Sequence, residues 1–129
     1  MDRRVLAAAV LLLAGGAIHT RLAIDGYGTD DLVVAFFVNG IASALVAGAL
    51  AFSRSVWALL AGIGVAAGSL VALALSRVGD GLLGFQGNGL DPAPDALLTI
   101  VFEGVALVLL AWVVLERRRD PTAVVADAK

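Results

Sequence analysis

Apolar residues fall into four long runs along this chain, separated by short stretches rich in Asp, Gly and Arg. A bilayer core needs about 20 apolar residues of helix, at about 1.5 Å per residue. The pattern therefore predicts membrane-spanning helices over about 5–24, 32–52, 56–78 and 96–115. Asp25-Gly-Tyr-Gly-Thr-Asp-Asp31 and Ser53-Arg54-Ser55 read as tight turns, because Asp, Ser and Gly make local hydrogen bonds or take positive φ there. Gly79–Asp95 is a longer connection with Asp95 expected as the N-cap of the fourth helix. The expected fold is an all-α membrane protein, a four-helix up-down-up-down transmembrane bundle over residues 1–119, with 120–129 as a flexible cytoplasmic tail.

Helical periodicity assigns faces. In the fourth span Leu98, Val101, Phe102, Val105, Val108, Leu109 and Trp112 form a bulky stripe suited to lipid. Thr99, Glu103, Ala106, Leu107, Leu110 and Ala111 form the other, with the small residues expected at helix contacts. In the second span Val34, Phe37, Val38, Ile41, Leu45 and Phe52 are the bulky face, and Asn39 lies with Ala35, Ala42 and Ser43. Gly40-x-x-x-Ala44-x-x-x-Gly48 and Gly64-x-x-x-Gly68 are small-residue seams that predict close backbone approach. The third span has the smallest face, including Gly62, Gly68, Ser69, Ala72 and Ser76, and is expected to pack most tightly.

Composition agrees with a membrane setting: the chain is 60% hydrophobic and 16% charged, against about 25% charged in an average soluble domain. Cysteine is absent, which excludes disulfides, thiolate catalysis and Cys-ligated metals. A net charge of −2 gives no reason to expect nucleic acid. The distribution of Lys and Arg carries more. Arg3, Arg4, Arg54, Arg117, Arg118, Arg119 and Lys129 make seven on one side, against two, Arg21 and Arg77, on the other. The positive-inside rule then places both termini in the cytoplasm and the Asp-rich loops outside the cell membrane.

The first segment reads in two ways. A basic start, a short apolar core and Gly15-Gly16-Ala17 resemble a cleavable secretory signal. The alternative is an uncleaved first helix continuing to Ile24, favoured because cleavage would remove the polar partner His19 from the bundle.

Candidate chemistry rests on a few polar residues inside these spans. A carboxylate in hydrocarbon costs at least about 2.5–3.5 kcal/mol, so Glu103 is expected to face protein and to have a partner. Counted from the outer ends, His19, Asn39 and Glu103 lie at one level, roughly 7–12 Å deep at the helical rise. Arg77 is slightly above and able to reach down, which makes His19 or Arg77 the expected partner of Glu103. Gly15 and Gly16, one turn from His19, are expected to leave a notch beside the imidazole. Arg21 and Tyr27 are candidate contributors at the outer rim. The blander reading is a structural cluster that fixes helix register.

Other chemistries find little support. Haem is disfavoured because the chain has one His and its single Met is the first residue. Zinc would have His19, Glu103 and at most a loop Asp, short of a convincing ligand set. Gly79-Asp-Gly-Leu-Leu-Gly84 spells GxGxxG, yet it follows a membrane helix rather than a strand, so it predicts no nucleotide site. No nucleophile, base and orienting group can be assembled around one His, so no catalytic residue, metal or cofactor is expected.

Gly16-Ala-Ile-His19, Gly26-Tyr27, Phe36-Phe-Val-Asn39 and Gly81-Leu-Leu-Gly-Phe85 together resemble a family of small four-helix membrane proteins of actinobacteria. That resemblance implies the same topology and supplies no activity. A looser similarity to DoxX-like proteins concerns size and span count. Small multidrug-resistance transporters also have four spans and one membrane Glu, but theirs lies in the first span, where this chain has no acid.

Two functions are consistent with these readings. One is a membrane-embedded small-molecule or proton-linked binding or transport component, with a pocket in the outer half of the bundle. The other is a non-catalytic assembly protein that docks another membrane protein, or a second copy of itself, through its small-residue seams.

Overall fold

In a computed structural model, which describes residues 2–120, the chain forms four helices: α1 Arg3–Ile24, α2 Asp30–Phe52, α3 Val56–Leu75 and α4 Asp95–Arg119. No strand occurs among the described residues, which hold a single isolated bridge between Leu82 and Phe85. Each helix is long and apolar enough to cross a membrane. Of the expected tail 120–129, all but Asp120 lies outside the described residues.

Local chemistry sets the helix ends. Asp2, Thr29 and Ser55 each precede a helix, and each accepts a hydrogen bond from a first-turn backbone N–H: Arg4, Leu32 and Trp57 respectively. Helix α3 stops at Leu75, three residues short of the expected end. There the Ser76 hydroxyl donates to Leu73 O at 2.6 Å and Arg77 N–H donates to Ala74 O at 3.1 Å, tightening the last turn. Asp95 is not the N-cap of α4. Pro94 holds that position without a side-chain bond, and Asp95 enters the first turn with its carboxylate ion-paired to Arg21.

Helix α1 is the most enclosed of the four. It lies between α2 and α4, while α3 closes the ring against α4 and α2 and barely meets α1. Leu12, Leu50, Leu59, Leu110 and Val113 fill the centre. Two places depend on a missing side chain. A β-carbon on Gly62 would lie 2.6 Å from Leu110 Cδ1 and 3.3 Å from Leu50 Cδ1. Between α1 and α2, a β-carbon on Gly16 would lie 2.7 Å from Ser43 Cβ, and one on Gly40 would strike Thr20 Oγ1.

The small-residue seams are only partly used. Gly40 is in close contact, but Ala44 is exposed, and β-carbons on Gly48, Gly64 and Gly68 would meet nothing within 4 Å. The expected Gly64–Gly68 approach and the tight packing of α3 are thus overturned. The buried stripe of α3 is Ala58, Leu59, Gly62, Ala66 and Ser69, which turns Gly64 and Gly68 outward. Val34, Val38, Ile41 and Leu45 on α2 are exposed, as are Val101, Val105, Val108 and Trp112 on α4. Those faces match the bulky stripes expected to meet lipid.

Polar contacts join opposite ends of the bundle. At one end Arg4 pairs with Glu116 at 2.6 Å and lies over the Trp112 ring, while Arg117 Nη1 donates to Arg54 O at 3.0 Å. At the other, Arg21 pairs with Asp95, and the Thr29 hydroxyl donates to Leu83 O at 2.7 Å. An exposed ion pair such as Arg4–Glu116 contributes about 0–1 kcal/mol, so it orients the helix ends more than it stabilises the core.

Candidate binding cavity

Beneath the Gly79–Pro94 connection, between all four helices, lies a cavity of about 150 Å³. Helix α1 contributes His19 and Leu22, α2 Ala35, Phe36 and Asn39, α3 Ser69 and Ala72 with Ser76 at its C-cap, and α4 Asp95 and Thr99. Tyr27, Arg77, Leu82, Phe85 and Pro92 line its outer part. Of the expected site residues, His19, Asn39, Arg77 and Tyr27 therefore share one cavity. Arg21 stays outside it at the rim, its side chain 60% exposed and paired with Asp95.

Asn39 is held from both sides. Its Nδ2 donates to Ser69 Oγ at 2.7 Å, and its Oδ1 accepts from the Ser43 hydroxyl at 3.3 Å. Ser69 in turn donates to Val65 O at 2.9 Å, so the polar strip is oriented by the helix backbone. His19 is 8% exposed, and its Nδ1 has no hydrogen-bond partner. Its ring lies 5.4 Å from Phe36, centroid to centroid. Phe36 is 6.5 Å from Tyr27, and Tyr27 meets Phe85 edge-on at 5.2 Å. A continuous aromatic wall thus runs from the loop down to the imidazole, within the spacing at which rings attract.

Glu103 departs from expectation. It is fully buried, does not line the cavity, and neither carboxylate oxygen has a hydrogen-bond partner. The expected pairing with His19 or Arg77 does not form. Arg77 is turned toward the connection, donating to Gly89 O at 3.0 Å, to Asp91 O and to the Ser76 hydroxyl at 2.5 Å. Unsatisfied backbone carbonyls in an irregular segment compete better for a guanidinium than a carboxylate buried deeper. The glycine notch also has a different occupant. Gly15 receives the Glu103 carboxyl, and Gly16 receives Ser43.

Several cavity residues escaped sequence reading as site residues. Ser69 and Ser76 stood on the small face of α3, and Thr99 on the Glu103 face, where each counted as packing. Phe85 sits in a loop with no periodicity to aim it. What the arrangement offers is an aromatic and aliphatic enclosure with a few oriented donors and acceptors, the usual makeup of a small-molecule site. Among the described residues no three His, Asp or Glu gather as a metal site. Compared with family models, curated proteins and solved structures, the chain matches none.

Proposed function

We propose that this protein is a multi-pass component of the cell membrane that binds a small molecule in the cavity around His19, Asn39 and Ser69. The observation that carries the reading is a cavity of about 150 Å³ whose polar lining is drawn from three helices, His19 from α1, Asn39 from α2 and Ser69 from α3. Unsatisfied buried polar atoms are uncommon in native proteins, and His19 Nδ1 is one such atom on a residue that lines this space. Glu103, below the cavity, is the residue we assign to proton coupling, because ionisable groups kept inside a membrane are functional by default. In this reading the helices run up-down-up-down with both termini cytoplasmic. Support comes from the Arg-rich end formed by Arg4, Arg54 and Arg117 and the Asp-rich loops opposite.

Native mass spectrometry of the protein extracted from its own membrane tests the proposal. A retained small molecule that is lost in His19→Leu supports it, and a bare polypeptide from all preparations counts against it. The second reading is an assembly protein. It is favoured by Gly64 and Gly68, which are exposed on α3 where an added β-carbon would meet no atom within 4 Å. Copurification of another membrane polypeptide, lost in Gly64→Leu, would support that alternative.

A further inference from the structure

Gly68 both lines the cavity and is exposed on the flank of α3, so the cavity reaches the side of the bundle there. A β-carbon on Gly68 would meet no atom within 4 Å. Ala72, one turn along α3, and Ala35, across on α2, are half-buried and line the same space. Three small residues therefore border the gap between α2 and α3, the sparsest of the four contacts between neighbouring helices. Gly68 lies seven residues inside the end of α3 at Leu75. That is about 10 Å along the axis, within a hydrocarbon core of about 30 Å. In the membrane setting proposed above, that depth turns the gap toward lipid rather than water.

We infer that the gap bordered by Gly68, Ala72 and Ala35 is a lateral portal, and that the ligand is a lipophilic molecule bearing a benzene-sized, oxygen-substituted ring. The ring sits among His19, Phe36 and Asn39, and an alkyl tail leaves through the gap into the bilayer. This inference rests on the cavity reading proposed above. Size supports it: an apolar cavity of about 150 Å³ is known to hold benzene. The polar groups fit as well. His19 and Asn39 line the cavity as polar groups for a phenolic or carbonyl oxygen, while Phe36 and the imidazole offer faces for stacking. The two nearby cations have partners of their own: Arg77 donates to Gly89 O, Asp91 O and Ser76, and Arg21 pairs with Asp95.

Phenol and 4-hexylphenol are the probes, read by ligand-observed NMR on the protein in lipid nanodiscs against empty discs. The wild type should bind both. Gly68→Leu and Ala35→Leu, which narrow the gap from opposite sides, should each weaken 4-hexylphenol by about tenfold, equivalent to about 1.4 kcal/mol. Phenol, which has no tail to accommodate, should be unchanged. Gly64→Leu, equally open but off the cavity, should leave both probes as in the wild type. Equal binding of 4-hexylphenol by the wild type and both lip variants overturns the portal while leaving the cavity reading intact. Failure of the wild type to bind either probe overturns the ligand class. Whether the cavity holds any molecule at all is read separately, from the molecule retained by the wild type and lost in His19→Leu.

Discussion

The Glu103 carboxyl rests against the bare Cα of Gly15: a β-carbon there would lie 2.5 Å from Oε1 and 3.1 Å from Cδ. Helix α4 can therefore bring an acid into contact with α1 only because α1 has no side chain at that turn. Gly15→Ala tests the relationship. Alanine gains about 0.5–1 kcal/mol of helix preference over glycine, while overpacking costs about 1–3 kcal/mol. The clash should win, lowering the melting temperature in detergent. Because Glu103 is the clashing group, Gly15→Ala in a Glu103→Ala background should be neutral or stabilising, a strong non-additivity. Additive effects would mean that the two residues do not touch.

Glu103 itself should show a conflict between stability and function. Its oxygens have no partner, so an apolar residue of similar length removes a desolvation cost without losing a bond. Glu103→Met should raise the melting temperature, by roughly 1–3 kcal/mol in stability. Glu103→Gln keeps shape but cannot exchange a proton. If Glu103 couples ligand binding to protons, binding should be accompanied by proton uptake or release in the wild type, and that exchange should shrink in the Gln variant. A less stable Met variant would reveal a hydrogen-bond partner.

Packing predictions separate the glycines of α3. Gly62→Leu must displace Leu110 and Leu50 and should cost at least the usual overpacking range of about 1–3 kcal/mol. Gly68→Leu, with open space around it, should be close to silent in stability, as should Val105→Leu on the exposed face of α4. Comparable losses for Gly62→Leu and Gly68→Leu would contradict the assigned faces.

How far these features were legible in the sequence depended on contrast between faces. On α2 and α4, bulky β-branched and aromatic residues alternate at helical spacing with Ala, Ser and Thr, so the exposed stripes could be read directly. On α3 small residues occur all the way round: Ala61, Gly62, Gly64, Ala66, Ala67 and Gly68 leave no direction to prefer. Its inner face had to come from what it meets, Leu110 above all. Depth was legible too, since residue counting places His19 and Asn39 near one level. The same counting set Glu103 too high: it lies one turn below Thr99 on the same face of α4, against Gly15 rather than His19, and so falls beneath the cavity. Nor did the sequence show that loop carbonyls at Gly89 and Asp91 would claim Arg77, because the connection has no period from which to infer its path.

Topology is open to a direct check. Reporter fusions after Phe52 and after Leu115 should be active in the cytoplasm, and fusions at Tyr27 and Asn88 outside. The expectation follows from seven basic residues on one side against two on the other. An outside C-terminus would overturn the proposed orientation.

The last prediction concerns acid stability at the start of α1. Asp2 caps the helix through a bond from Arg4 N at 2.9 Å, and its carboxylate pairs with the Arg4 guanidinium at 2.8 Å. The side-chain hydrogen bond from Arg4 holds the Asp2 carboxyl below its ordinary range, with burial opposing. A depressed folded-state value means that the unfolded chain takes up the proton first. The stabilisation is therefore complete above the unfolded value, about 3.9, and is lost as pH falls through the folded one. At neutral pH, Asp2→Ala should cost about 1 kcal/mol, typical of a lost N-cap. Asp2→Asn should cost less, since the amide oxygen still caps the helix while the charge is gone. Below pH 4 the wild type should lose stability toward Asp2→Asn, so their melting temperatures converge. A difference that stays constant from pH 7 to pH 3 would show that Asp2 acts through its shape alone and that its pairing with Arg4 contributes nothing.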